Sequence, residues 1–159
     1  MSAPSILAVI NTFKDRWAFL SNFHPAPLRW EGIHYPTSEH AFNAGKTLDR
    51  GRRLWIAGAS SPWVAKQRGR QVPLRPGWDV EVRYQVMAEV LKAKFTAHPG
   101  RVDALLSTGN ADLIEGNKWC DTHWGRCFCA RDGHLGVGEN HLGRLLMELR
   151  AELRAANGS

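Results

Sequence analysis

The sequence predicts a mainly α-helical, α-rich α+β domain with short strands near its N-terminus. Three observations predict it: amphipathic runs at 78–95 and 142–153, an aromatic stretch at 18–35 punctuated by proline and glycine, and no strand–helix–strand periodicity of the kind a Rossmann sheet needs. The 159 residues fit one compact domain, placed at 11–154, with 155–159 as a frayed C-terminal tail.

Between 18 and 35, Phe19, Phe23, Leu28, Trp30, Ile33 and Tyr35 are separated by Asn22, Pro25, Pro27 and Gly32. The prolines lack amide donors and restrict the residues before them, so short extended pieces fit better than a helix. Leu28-Arg29-Trp30 and Ile33-His34-Tyr35 are predicted to pair across a tight turn at Glu31-Gly32. Thr37 or Ser38 then caps a helix with Glu39 in its first turn, where an acid suits the positive end. Glu39, Phe42, Asn43 and Lys46 have the spacing of one helical face. At about 1.5 Å per residue, Lys46 then lies about 10 Å beyond Glu39 along the axis.

A second helix is predicted over 49–59, around Leu54, Trp55 and Ile56. A third starts at Ser61-Pro62, where proline in the first turn loses no hydrogen bond, and stops near Arg68-Gly69. Residues 72–77 read as a basic, proline-bearing loop. Val80, Tyr84, Met87, Leu91 and Phe95 form the apolar stripe of the longest run, and Val102, Leu105 and Leu106 suggest a shorter helix after Pro99. Leu142, Leu145, Leu146, Leu149 and Leu153 mark the buried side of the last helix, with an exit at Ala155-Ala156-Asn157-Gly158. The stretch 115–140 has no period. Its glycines permit tight bends, and so long an irregular segment inside a compact domain points to an active-site loop.

The formal charge of +6 is concentrated. Between Lys46 and Arg75 there are eight basic residues and one acid, Asp49, while the remainder carries 13 basic and 14 acidic residues. Such a field suits an anionic partner, either a phosphate-bearing metabolite or a nucleic acid; a solvated helix face is the alternative. No apolar run nears the roughly 20 residues that cross a bilayer, so no membrane partner is expected. Residues 1–10 are apolar without a basic region before them, which argues against a secretory signal. Cys120, Cys127 and Cys129 cannot close a disulfide framework without leaving one over, and a reducing cytoplasmic compartment is expected.

A carboxylate such as Glu39 can orient water, accept a proton or stabilise the positive charge that grows on a sugar as its anomeric bond breaks. It can equally be a helix-entry acid. His40 is a candidate base, with packing as its alternative role. Lys46, bordered by apolar groups, can carry a lowered pKa and attack an aldehyde-like sugar carbon, bind phosphate, or simply face solvent. In Asp121-Thr122-His123-Trp124-Gly125, Trp124 can stack on a base while Asp121 holds a ribose hydroxyl or water; a core plug and a turn cap are the alternatives. Phe19, Phe23 and Trp30 can build a stacking wall or a core. Cys120, His123, Cys127 and Cys129 offer zinc-type ligands as C-x2-H-x3-C-x-C, but the short final spacing is unlike a standard finger and packed free thiols are preferred. No metal ligand and no cofactor is expected. There is no P-loop, Rossmann fingerprint or HExxH.

Together these segments resemble the YbiA-like family, the NADAR (NAD and ADP-ribose) superfamily. The resemblance rests on Phe19-Leu20-Ser21-Asn22-Phe23, on Gly32 through Phe42 with Lys46, and on Gly69, Trp78, Met87, Lys94-Phe95, Thr108 and Glu115. Asp121-Thr122-His123-Trp124-Gly125 and Gly138-Glu139-Asn140-His141-Leu142-Gly143 complete it, so that it covers 11–154. Asn43 stands where many members have glutamine, and Arg126-Cys127 replaces a small glycine-containing continuation.

The resemblance implies an N-glycosidase, a hydrolase that cleaves a ribose N-glycosidic bond. The implied substrates are phosphoribosylamino-pyrimidine intermediates of riboflavin synthesis, or ADP-ribose on guanine in DNA or RNA. It implies Glu39, Lys46 and Asp121 as catalytic residues and Phe19, Asn22, Phe23, Trp124, Gly125 and Asn140 as substrate-binding residues, around one phosphate-accessible pocket. A transient Schiff base between Lys46 and the opened ribose stands beside direct water attack. The competing functions are a noncatalytic ADP-ribose or nucleic-acid binding module and a structural zinc protein.

Overall fold

The computed structural model describes residues 8–158, so the first seven residues of the apolar start lie outside the described part. In chain order the elements are β1 (Val9–Ile10), β2 (Leu28–Trp30), β3 (Ile33–Tyr35), α1 (Ser38–Ala44), α2 (Arg50–Ala57), α3 (Pro62–Gly69), α4 (Arg83–Thr96), α5 (Pro99–Leu106), β4 (Asp112–Leu113), β5 (Gly116–Asn117), β6 (Arg126–Cys127) and α6 (His141–Asn157). A 3-10 turn occupies Asp15–Leu20, and a π-helical turn at Trp78–Val82 leads into α4. The described residues are mainly helical, as expected. Backbone contacts divide the chain into two compact units, Asn22–Arg101, and Met1–Ser21 with Val102–Ser159. Among the described residues no helix is long and apolar enough to cross a membrane.

In the Asn22–Arg101 unit the predicted hairpin forms with Leu28 opposite Tyr35 and Trp30 opposite Ile33. Its turn places Glu31 at φ 46° and Gly32 at φ 80°, the pair of positive values that matches the twist of the flanking strands. Leu28, Trp30, Ile33 and Tyr35 are buried while Arg29 and His34 are exposed, the alternation of a half-buried ribbon. Trp30 is therefore core and not part of a stacking wall: its indole N–H donates to Glu89 Oε2 at 3.0 Å, and the Arg53 guanidinium covers its ring at 4.8 Å.

Helices α1 to α3 all carry side-chain caps, and at α1 the cap is Thr37, one of the two residues expected there. Thr37 Oγ1 accepts from the His40 amide, Asp49 Oδ1 from the Arg52 amide and Ser61 Oγ from the Val64 amide, each contributing about 1 kcal/mol to its helix. The predicted stripe of the longest run needs one correction. Met87, Leu91 and Phe95 are buried, but Val80 is 76% exposed. The π-helical turn inserts an extra residue before α4 and so rotates Val80 out of the phase that the later residues follow.

In the other unit, β1 pairs parallel with β4 and β5 parallel with β6. These pairs add strands beyond the N-terminal ones expected. Arg150 on α6 is buried and donates from Nη1 to Thr108 Oγ1 and the Ala111 carbonyl, both at 2.9 Å. The expected frayed tail is helical further than predicted: α6 runs through Asn157, and the Gly158 amide still reaches the Arg154 carbonyl at 3.1 Å. Ser159 lies outside the described residues.

Candidate active site

Helix α1 is seven residues long, and all seven are buried, although four of them are Ser38, Glu39, His40 and Asn43. Polar side chains without water must find partners, and the partners define the site. Ser38 Oγ donates to Asn22 Oδ1 at 2.8 Å, and the Glu39 amide donates to the Asn22 carbonyl at 3.0 Å. Asn22 Nδ2 in turn lies 3.6 Å from Met87 Sδ. Asn22, expected to touch substrate, is thus buried at the entry of α1 and clamps it.

His40 is not placed as a base. Its Nε2 faces the Ala59 carbonyl at 3.0 Å and its Nδ1 faces Thr37 Oγ1 at 2.8 Å. A carbonyl only accepts, so Nε2 carries the proton and Nδ1 accepts from the threonine hydroxyl. Burial holds the His40 pKa below its ordinary value, in keeping with a neutral ring that ties α1 to the end of α2.

Glu39 keeps its carboxylate beside Asn43, whose Nδ2 donates to Glu39 Oε1 at 2.9 Å and to the Glu39 carbonyl at 2.8 Å. Two acceptors on that side fix the orientation of the amide. The opposite face of Asn43 is closed by Gly69, where an added Cβ would sit 2.2 Å from Asn43 Oδ1. The glycine at the end of α3 is what admits this approach.

Lys46 is not on the helix, contrary to the spacing argument. α1 ends at Ala44, Gly45 caps it, and the Lys46 carbonyl accepts from the Arg75 amide at 2.8 Å. Lys46 is half-buried. Burial, first, lowers its pKa; the Glu39 carboxylate works against that, and Arg70 and Lys66 reinforce it. A cationic neighbourhood around a partly desolvated amine favours the neutral, nucleophilic form. Glu39, Asn43, Lys46, Lys66 and Arg70 are therefore one electrostatic neighbourhood. Arg53, from the same basic stretch, is not part of it: it is buried in an ion pair with Glu31 and donates from Nε to the Thr47 carbonyl at 2.8 Å. Phe23, in this unit, is 41% exposed.

The second cluster lies in the other unit. Asp121 Oδ1 accepts from the amides of His123 at 3.0 Å and Trp124 at 2.9 Å, a side-chain-closed turn. The turn presents its carbonyls to the start of α6: Thr122, Gly125, His123 and Trp124 accept from the amides of Glu139, Asn140, His141 and Leu142 at 2.8–3.3 Å. Three of the four amides that a helix leaves unpaired at its beginning, those of Asn140, His141 and Leu142, are thus satisfied by the candidate loop. Trp124 is half-buried, edge-on to His123 at 5.2 Å. His123 Nδ1 and His141 Nε2 both approach Glu139 Oε2, at 3.2 and 2.8 Å. The hydrogen bond from His141, followed by the charges of both histidines, holds the Glu139 carboxyl below its usual range despite an opposing burial effect.

Glu139 and His141 were not among the predicted site residues. Their place in the Gly138–Gly143 motif beside Asn140 was the only signal.

Asn140 itself is buried, with Oδ1 accepting from the Glu115 amide at 3.1 Å and Nδ2 donating to the Leu113 carbonyl at 2.9 Å. It locks β4 and the following segment to α6. Gly125 is a close approach to the chain, since a Cβ there would lie 2.2 Å from the Glu115 carbonyl. Phe19 is half-buried in the Asp15–Leu20 turn, 6.2 Å from the Trp17 ring.

The NADAR domain family model matches residues 10–154, which is most of the chain. The chain belongs to the NADAR family. The N-glycosidase YbiA of Escherichia coli K12 is 42% identical over 149 residues, covering 91% of this chain and 88% of its own. An N-glycosidase of Nostoc punctiforme is 35% identical over 139 residues, 84% of each chain. The NMR structure of E. coli YbiA superposes with a TM-score of 0.80 at 40% identity, covering 95% of this chain and 88% of that one. A riboflavin biosynthesis protein of Vibrio vulnificus is 33% identical over 142 residues, 88% of this chain but 36% of that longer protein. Membership of the NADAR family with these relatives makes the chain an enzyme, a hydrolase of the N-glycosidase class.

Proposed function

We propose that this NADAR protein hydrolyses the bond between C1′ of a phosphorylated ribose and an exocyclic amine, with phosphoribosylamino-pyrimidine intermediates of riboflavin synthesis as substrates. The observation that carries the reading is the buried pairing of Glu39 with Asn43 beside the partly desolvated Lys46. The substrate class draws on relatives named for riboflavin biosynthesis in Vibrio vulnificus and Zea mays. Cleavage builds positive charge on the sugar carbon, and a fixed carboxylate aimed at that charge is worth more than a mobile one.

In the covalent route the neutral Lys46 amine attacks C1′ of the opened sugar. The Glu39 carboxylate takes up each proton that the Lys46 amine gives up as it bonds and passes it to the base nitrogen, so that the base departs as its free amine. Water then adds to the imine carbon and Lys46 is released with the free sugar. In the direct route the Glu39 carboxylate takes the proton from the attacking water and returns it to the amine that departs as the bond to C1′ breaks. Asp121 and Trp124 are assigned to sugar and base binding, with Phe19 and Phe23 as apolar contacts. Asn22, Gly125 and Asn140 act by holding the elements that carry those groups.

One observation favours a second reading. Lys66 and Arg70 add to the field at Lys46, and the stretch 46–75 is net +7 by the residues already counted. That field suits a longer polyanion such as ADP-ribosylated guanine in DNA or RNA. Product analysis on both substrate classes and on free ADP-ribose decides between them. Base released from the phosphoribosyl pyrimidine alone supports the first reading, release from the modified nucleic acid alone supports the second, and binding without product supports a noncatalytic module. Borohydride added during turnover, followed by peptide mapping, is expected to reduce an adduct onto Lys46; no adduct during verified turnover leaves the direct route.

A further inference from the structure

We propose that Cys120, Cys127, Cys129 and His134 form a structural zinc site that braces the Asp121–Gly125 loop. The ligand atoms of these four residues all lie within 4.8 Å of one another. Cys120 Sγ and Cys129 Sγ are 3.4 Å apart, and Cys129 Sγ is 3.5 Å from His134 Nδ1. A tetrahedral zinc with Zn–S near 2.3 Å and Zn–N near 2.0 Å sets sulfurs about 3.8 Å apart and sulfur about 3.5 Å from nitrogen. These two separations fit a tetrahedral zinc, and the remaining ligand atoms lie within 4.8 Å of them.

The ligand set differs from the one the sequence spacing suggested. His123 instead faces Glu139, and the fourth ligand comes from the turn in which the His134 amide bonds to the Arg131 carbonyl at 3.1 Å. The spacing becomes C-x6-C-x-C-x4-H.

Packed thiols account poorly for this arrangement. Only Cys127 is buried; Cys120 and Cys129 are half-buried, and no disulfide joins the three. The sulfurs also receive backbone amides of the kind that offset thiolate charge. The Cys129 amide lies 3.4 Å from Cys127 Sγ, and the Arg131 amide bonds to the Cys129 sulfur. Cys120 sits at φ 65°, a left-handed conformation that a non-glycine residue holds only when its surroundings fix it. Binding would release the three thiol protons to solvent and leave His134 neutral, as zinc ligation requires. Because Cys120 precedes the loop and Cys127 and Cys129 follow it, the ion would close the chain around Asp121 and Trp124. The site is independent of which sugar the enzyme cleaves.

The test is metal analysis of the whole chain purified under reducing conditions without added zinc, by native mass spectrometry and plasma mass spectrometry. The expected result is a single equivalent of zinc. Cobalt exchanged into the protein should show thiolate-to-metal charge transfer and the d–d absorption of a tetrahedral site. In chelator competition Cys129→Ser and His134→Ala should each weaken zinc binding by more than about tenfold, while His123→Ala binds as the unaltered chain does. If Cys129→Ser fails to fold, titrating the folded unaltered chain with an organomercurial gives the same reading, with zinc released in step with the thiols capped. A folded, metal-free chain with reduced thiols that does not take up zinc or cobalt would overturn the proposal. So would a His123→Ala variant that loses zinc while His134→Ala keeps it.

Discussion

Replacing Gly69 by alanine probes the geometry that holds Glu39 without touching the carboxylate. The new methyl carbon would lie 2.2 Å from Asn43 Oδ1 and 2.8 Å from Asn43 Cβ and Cγ, roughly 1 Å short of an ordinary contact. Asn43 is 1% exposed and cannot swing into solvent to relieve the clash. Overpacking of this kind costs about 1–3 kcal/mol. Loss of the amide bond to the Glu39 carboxylate adds about 1.5–3 kcal/mol, and the better helix propensity of alanine in α3 returns about 1 kcal/mol. The net destabilisation is about 1.5–5 kcal/mol, a fall in Tm of roughly 3–20 °C for a chain of this size.

Scanning calorimetry reads the stability and steady-state base release reads the chemistry. The double variant Gly69→Ala with Asn43→Ala separates the two effects. It removes the contacts with Oδ1 and Cγ and leaves the one with Cβ, so its Tm should recover in part above that of Gly69→Ala, but it leaves Glu39 without its amide, so kcat should stay low. A Gly69→Ala protein that melts and turns over like the original would refute the argument that Gly69 and Asn43 position Glu39.

Other outcomes follow from the buried charges and locks. Burial, aided by Arg101, lowers the Lys94 pKa to about 7 from 10.5. The unfolded chain therefore binds the extra proton between those values, and stability should rise with pH across that window. Lys94→Met should flatten the rise and gain most at pH 7 and below, by several kcal/mol, as denaturant midpoints across the window will show. Removing a neighbouring cation by Lys66→Gln or Arg70→Gln should raise the Lys46 pKa and, because the neutral amine is the nucleophile, move the ascending limb of the pH–rate profile to higher pH, a shift read from kcat against pH. Asn140→Ala strands the Glu115 amide and the Leu113 carbonyl and should cost about 2–4 kcal/mol by chemical denaturation.

The elements that the sequence disclosed are those with local causes. The hairpin was legible because Glu31-Gly32 supplies the two left-handed positions its turn needs, α1 because Thr37 caps it, and α3 because Pro62 suits a first turn. Lys46 was misplaced because helical periodicity runs on through Gly45, whereas the backbone leaves the helix to pair with Arg75, a partner 29 residues further along. The parallel pairing of Val9–Ile10 with Asp112–Leu113 has no local signal at all. At the candidate site the residue types of Glu39 and Lys46 were readable as chemistry. Asn22 and Asn140 were expected as ligand contacts through the family resemblance, while the buried groups they satisfy are not visible in a sequence. The same limit hid His134, which reaches the cysteines only through a loop return that no spacing rule describes.

The claim on which the functional account depends is that Glu39 drives bond cleavage. Single-turnover base release with enzyme in excess, comparing the unaltered chain with Glu39→Gln at matched Tm, measures it directly. The account predicts that the variant still binds substrate but releases base about 100-fold or more slowly. Release at the unaltered rate would contradict it.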